Sequence, residues 1–185
     1  MRVDIYERKR GVKKGKGQKS DGFPLIPKLI STSFGFGFLP VAPGTWGAIF
    51  AIILWLPLFL LAPRDTVFWV TFGATVVYAI AGTWASGEAE KYWGKDPVIA
   101  CADETVGQWI ALLPMSWLMP SFWWEFVIAL ALFRFFDIYK PLGIRSLEKL
   151  PGGVGMMADD VLAGIYSAIL LILFNIWVLP SWAYE

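Results

Sequence analysis

The 185-residue chain contains no histidine, and that absence removes serine-histidine-aspartate hydrolysis, phosphohistidine intermediates, HExxH zinc chemistry and histidine proton shuttling. A single cysteine, Cys101, permits neither an internal disulfide nor a thiolate zinc cluster. Charge is also scarce, at 17% of residues against about 25% in soluble domains. The hydrophobic set instead reaches 57%, too much for one soluble core of this length. The surplus apolar surface therefore has to face a bilayer.

The few charges are unevenly placed. Residues 1–22 hold eight Lys/Arg against three acids, which leaves the remaining 23–185 with a net charge of −4. The arm has four glycines and no apolar periodicity, so it is expected to be flexible, and its charge suits an anionic cytoplasmic leaflet. No nucleic-acid partner is expected. No apolar run closely follows the basic stretch and no cleavage site is evident, so a signal peptide is not expected.

Four stretches carry no charge: Leu29 to Pro63, Thr66 to Gly87, Thr105 to Trp124 and Val161 to Tyr184. Each reaches the roughly 20 residues that a bilayer span requires. The first is broken by glycine and proline between Phe34 and Gly47, which predicts a loop there and a helix at about 47–62. With a short fourth stretch, Phe126 to Phe133, the pattern predicts an all-α, integral membrane multi-helical bundle. About five helices are expected to be membrane-embedded, near 47–62, 66–86, 105–119, 122–138 and 160–179, joined by glycine-rich loops at the cytoplasmic face. With the arm inside, fifteen of the sixteen Lys/Arg fall on the cytoplasmic side and only Arg64 lies outside, as the positive-inside bias requires. No internal repeat of the kind that marks transporters is present.

Three polar segments converge on the inner face under this topology. The first runs from Phe34 to Gly47; its Pro43-Gly44-Thr45 places Thr45 near a helix N-cap, where free amides would face an anion. Asp103 and Glu104 stand side by side before an uncharged helix, and two adjacent carboxylates repel unless a cation lies between them. The third segment holds Arg134, Asp137 and Lys140 at intervals of three, then Asp159 and Asp160 at a predicted helix start. A charge at membrane depth costs about 2.5–3.5 kcal/mol and usually marks function. Five carboxylates without histidine or thiolate select a hard ion such as Mg²⁺, Mn²⁺ or Ca²⁺. Arg134, Lys140 and Arg145 are of the types that hold phosphate. Together they point to metal-assisted phosphoryl chemistry or, alternatively, to a stack of structural ion pairs at the membrane surface.

The order Phe34-Gly-Phe-Gly, Pro43-Gly-Thr-Trp-Gly47, Asp103-Glu-Thr-Val-Gly107, Phe133-Arg-Phe-Phe-Asp-Ile-Tyr-Lys-Pro141 and Gly152-Gly-Val-Gly-Met-Met-Ala-Asp-Asp160 resembles the phosphatidylglycerophosphatase A family over about residues 29–175. The resemblance implies an enzyme that removes the terminal phosphate of phosphatidylglycerophosphate, depends on Mg²⁺ and works at the cytoplasmic face of the bacterial inner membrane. It also implies acidic site residues at Asp103, Glu104, Asp137, Asp159 and Asp160, basic ones at Arg134 and Lys140, and a phosphate-side loop at Gly44 and Thr45. The expected roles are Mg²⁺ ligation by Asp103, Glu104, Asp159 and Asp160, a phosphate clamp by Arg134 and Lys140, and orientation of Arg134 or the attacking water by Asp137. Rival phosphatase signatures are missing, since position 107 is Gly107 where CxxxxxR needs arginine and no Asp-x-Asp occurs. The competing expectation is a non-catalytic transporter or lipid-binding protein that uses the same charges.

Overall fold

The computed structural model describes residues 22–117 and 124–177, and among them every regular element is helical. Seven α-helices follow one another: α1 (Leu25–Ser31), α2 (Pro43–Leu61), α3 (Arg64–Trp93), α4 (Ala102–Leu112), α5 (Glu125–Tyr139), α6 (Ile144–Leu147) and α7 (Gly153–Trp177). Short 3₁₀ turns lie at Phe36–Phe38 and Leu113–Ser116. The basic arm falls outside the described residues except for Gly22, as does the expected outer connection around Pro120.

Three of these helices, α2, α3 and α7, are long and apolar enough to cross a membrane. The expected count of five is therefore not met by length. α4 has 11 residues and α5 has 15, both short of the roughly 20 needed for a span. Pro114 explains the early end of α4, because a proline within a helix removes a hydrogen bond and clashes with the preceding turn, and here the chain tightens into a 3₁₀ turn.

α4 is instead the interior strut of the bundle, with nine of its eleven residues buried. It runs beside α3. A Cβ on Gly82 would lie 3.2 Å from Ala102 Cβ, and Arg64 Nη1 at the start of α3 donates to Met115 O at 2.9 Å. Against α2 its register is fixed one turn at a time: Thr105 Oγ1 donates to Gly47 O at 3.1 Å, and Trp109 Nε1 to Ala51 O at 3.0 Å. Against α7 the backbones touch, since a Cβ on Gly164 would stand 2.5 Å from Gly107 O. Such small-residue crossings let helices approach closely where lipid leaves no hydrophobic drive between them.

Two helix starts differ from expectation for one reason. α2 begins at Pro43 rather than near 47, and α7 at Gly153 rather than near 160. Glycines read as loop residues are packing residues. A Cβ on Gly47 would lie 2.6 Å from Cys101 O, and one on Gly153 would lie 2.0 Å from Thr83 O. Close packing here outweighs the roughly 1 kcal/mol that glycine costs a helix. Asp159 and Asp160 consequently sit inside α7, not at its start. The outer faces of the long helices remain apolar and exposed, as at Leu61, Val77 and Ile80, which suits a lipid surround.

Candidate active site

One end of the bundle encloses a cavity of about 640 Å³. Its walls come from the start of α2, the loop after α3, the starts of α4 and α6, the end of α5, the connector 140–152 and the second and third turns of α7. Eight Asp/Glu and five Lys/Arg line it, a formal charge of −3.

Its acidic centre is assembled from two helices. Asp103 and Glu104 occupy the first turn of α4, and Asp160 projects from α7. One carboxylate oxygen of each lies within 4.8 Å of the others. The Gly107–Gly164 crossing brings these turns together, and a Cβ on Gly107 would meet Asp160 O at 2.7 Å. Asp103 and Asp160 are buried, and no basic side chain pairs with either among the described residues. Glu104 Oε2 is buried without a hydrogen-bond partner. Burying carboxylates this way is costly unless a cation joins them. The donor set is all oxygen and includes a free lone-pair site, so it fits a hard divalent ion such as Mg²⁺.

Asp159 stands apart from that group. The two neighbouring aspartates are about 100° apart on the helix, so when Asp160 faces α4, Asp159 faces the connector. There its Oδ2 accepts from Lys140 Nζ at 2.5 Å, and Glu148 Oε1 accepts from the same ammonium at 2.7 Å. Asp159, expected among the metal ligands, therefore lies in an ion pair and outside the three-carboxylate group. Burial alone would pull the Lys140 ammonium down, but its hydrogen bonds to Asp159 and Glu148 outweigh that and hold it above the ordinary lysine value. Lys140 adopts a left-handed backbone, φ 48°, that ends α5 ahead of Pro141.

Arg134 forms an ion pair with Asp137 one turn away, and its Nη1 lies 3.9 Å from Glu104 Oε1. Its Nε has no hydrogen-bond partner. Burial pushes the Glu104 carboxyl, outside the three long helices, up to about 7. A hydrogen bond from Asp103 and the Arg134 charge pull it down, while Asp137 pushes it up.

Gly44 lines the cavity, and a Cβ there would lie 2.0 Å from Glu104 Oε1 and 3.0 Å from Arg134 Nη1. Thr45 does not line it. Because α2 starts at Pro43, Thr45 lies within the first turn, and no side chain caps the helix. Cys101 is buried against Gly37 and Gly47, and burial pushes its thiol up, which leaves no reactive thiolate. Lys95, Lys149 and Glu148, which no candidate motif singled out, also line the cavity. They lie in charged connectors where nothing in the sequence separates a site residue from a solvated one.

A model of the family described as phosphatidylglycerophosphatase A matches residues 29–175. A Bacteroides thetaiotaomicron protein named as a phosphatidylinositol-3-phosphatase is 47% identical over 155 residues, 84% of this chain and 96% of that protein. Phosphatidylglycerophosphatase A of Haemophilus influenzae is 37% identical, with 82% of this chain and 90% of the relative covered. That of Escherichia coli is 33% identical, with 76% and 78% covered. No solved structure matches the chain. All of the cavity's acidic centre and both of its paired cations fall inside the matched segment, and the chain belongs to the phosphatidylglycerophosphatase A family, a family of phosphatases.

Proposed function

We propose that the cavity hydrolyses the terminal phosphomonoester of phosphatidylglycerophosphate, giving phosphatidylglycerol and inorganic phosphate, with Mg²⁺ held by Asp103, Glu104 and Asp160. The observation that carries this reading is the convergence of three carboxylates from α4 and α7 within 4.8 Å, beside Arg134 and Lys140 in one cavity. Mg²⁺ so held would polarise a phosphoryl oxygen and lower the pKa of its water. Arg134, with its unpartnered Nε, binds and orients the phosphate; Asp137 holds the guanidinium in place. Lys140 supplies a second positive charge, fixed by Asp159 and Glu148. Gly44 lets the start of α2 lie against Glu104 and Arg134, which holds both side chains in place. A lining charge of −3 repels an anionic headgroup by itself, and a bound divalent cation reduces that repulsion.

The cavity is assigned to the cytoplasmic face of the inner membrane. Arg64 anchors the far end of α3, whereas Lys95, Arg134, Lys140, Arg145 and Lys149 line the cavity end, a bias that supports an inward orientation. Three long helices keep the odd parity of five, and all three present an end to the cavity.

A second lipid is favoured by the Bacteroides relative, whose name points to the 3-phosphate of a phosphoinositide. Purified protein in mixed micelles, offered either lipid with and without Mg²⁺, separates these readings through free phosphate. Mg²⁺-dependent release from phosphatidylglycerophosphate is expected. Release from the phosphoinositide alone would transfer the assignment to it, and release from neither would overturn the phosphatase reading.

A further inference from the structure

The two cations at the acidic centre are already matched by carboxylates, Arg134 by Asp137 and Glu104, Lys140 by Asp159 and Glu148. Lys95, Arg145 and Lys149 line the same cavity, and none has an ion-pair partner among the described residues. Arg145 and Lys149 lie in the connector between α5 and α7, which also exposes apolar side chains. Leu142 is 77% exposed; Leu150, directly after Lys149, is 41% exposed and lines the cavity. This connector therefore offers unpaired positive charge and apolar surface side by side.

A phospholipid has that composition at one place, the phosphodiester that joins its headgroup to diacylglycerol. We propose that Arg145 and Lys149, with Lys95 from the loop after α3, form a second anion subsite for this phosphodiester while the acidic centre acts on the phosphomonoester. The inference rests on the phosphatase reading and deepens it. The substrate class is phospholipids whose headgroup carries a phosphomonoester in addition to the diester, and phosphatidic acid, with one phosphate, is discriminated against. A cavity of 640 Å³ is within the roughly 300–1,000 Å³ of sites that enclose whole ligands and exceeds what one phosphate needs.

The test is the double variant Arg145→Gln/Lys149→Gln in uncharged detergent micelles, with phosphatidylglycerophosphate and phosphatidic acid as substrates and Lys91→Gln as a surface-charge control. Lys91 pairs with Glu88 and does not line the cavity. The double variant should raise KM for the two-phosphate lipid at least tenfold with kcat retained, since a charge-assisted contact is lost at each position. It should leave phosphatidic acid turnover, or its inhibition constant if it is not turned over, unchanged. Equal losses with both lipids, or no loss with the first, would overturn the subsite while leaving the phosphatase reading intact. Phosphate release from neither lipid by the unaltered protein would sink both.

Discussion

Both ends of the bundle bury carboxylates, and they do so in opposite ways. At the end away from the cavity Glu125 is fully buried at the start of α5, and Asn175 Nδ2 of α7 donates to its Oε2 at 3.3 Å while also donating to Leu171 O at 3.0 Å. At the cavity end Asp103, Glu104 and Asp160 gather with their oxygens turned on one another. α7 contributes to both, joined by α5 at the far end and by α4 at the cavity end. A carboxylate that faces an amide is a clasp between helices; carboxylates that face each other are a demand for a cation. Burial alone therefore does not mark the site, and the partner does.

Substitutions at the two ends should separate accordingly. The largest effect is expected for Asp160→Asn, which should reduce Mg²⁺-dependent phosphate release by roughly a hundredfold or more while the melting temperature holds or rises, because a repelling charge is removed. Full activity in that variant would sink the assignment. Gly44→Ala comes next. Its new methyl would occupy the place of Glu104 Oε1, the end of a movable side chain, so the protein should fold but lose about tenfold or more in activity together with Mg²⁺ affinity.

A smaller effect is expected from pH. Glu104 is protonated below about 7, and Mg²⁺ has to displace that proton, so affinity should rise as pH passes upward through 7. The Mg²⁺ concentration for half-maximal activity at pH 6 should be about ten times that at pH 8. A flat profile would show that no Glu104 proton competes with the metal in this range, and Glu104→Gln with unchanged Mg²⁺ affinity would show that Glu104 is not a ligand. Smallest in activity should be Asn175→Ala at the opposite end. It removes one donor to Glu125 and should lower stability by about 1 kcal/mol, read as a fall in melting temperature, with kcat/KM per folded molecule unchanged. Loss of Mg²⁺ affinity there would break the contrast between the ends.

Much of the site was legible in the chain because its residue types are rare in so apolar a setting. Asp103, Glu104, Arg134, Asp137, Lys140 and Asp160 stand out as charges bordering long uncharged stretches, and all six line one cavity. Lys95, Lys149 and Glu148 were not legible, since charged residues in connectors are ordinary. The fold was less readable than the site. Gly44, Gly47, Gly153 and Gly155 carry the signature of loops, and only their neighbours show that each is a place where two backbones, or a backbone and a side chain, meet inside a helical bundle. Similarly, Thr105 to Trp124 is uncharged over the length of a span, while Thr105 to Leu112 is buried on nearly every side and forms an interior strut.

The sequence by itself determined that histidine and thiolate-cluster chemistry is excluded, that the chain carries more apolar surface than one soluble core of its length can bury, and, through ordered motifs, which family it belongs to. These are properties of residue type and order, which need no coordinates. Only the tertiary structure decided that Asp160 joins Asp103 and Glu104 while its neighbour Asp159 turns to Lys140. That choice depends on the phase of α7 where it crosses α4 at Gly107 and Gly164, and helix phase is set by packing between elements far apart in the chain.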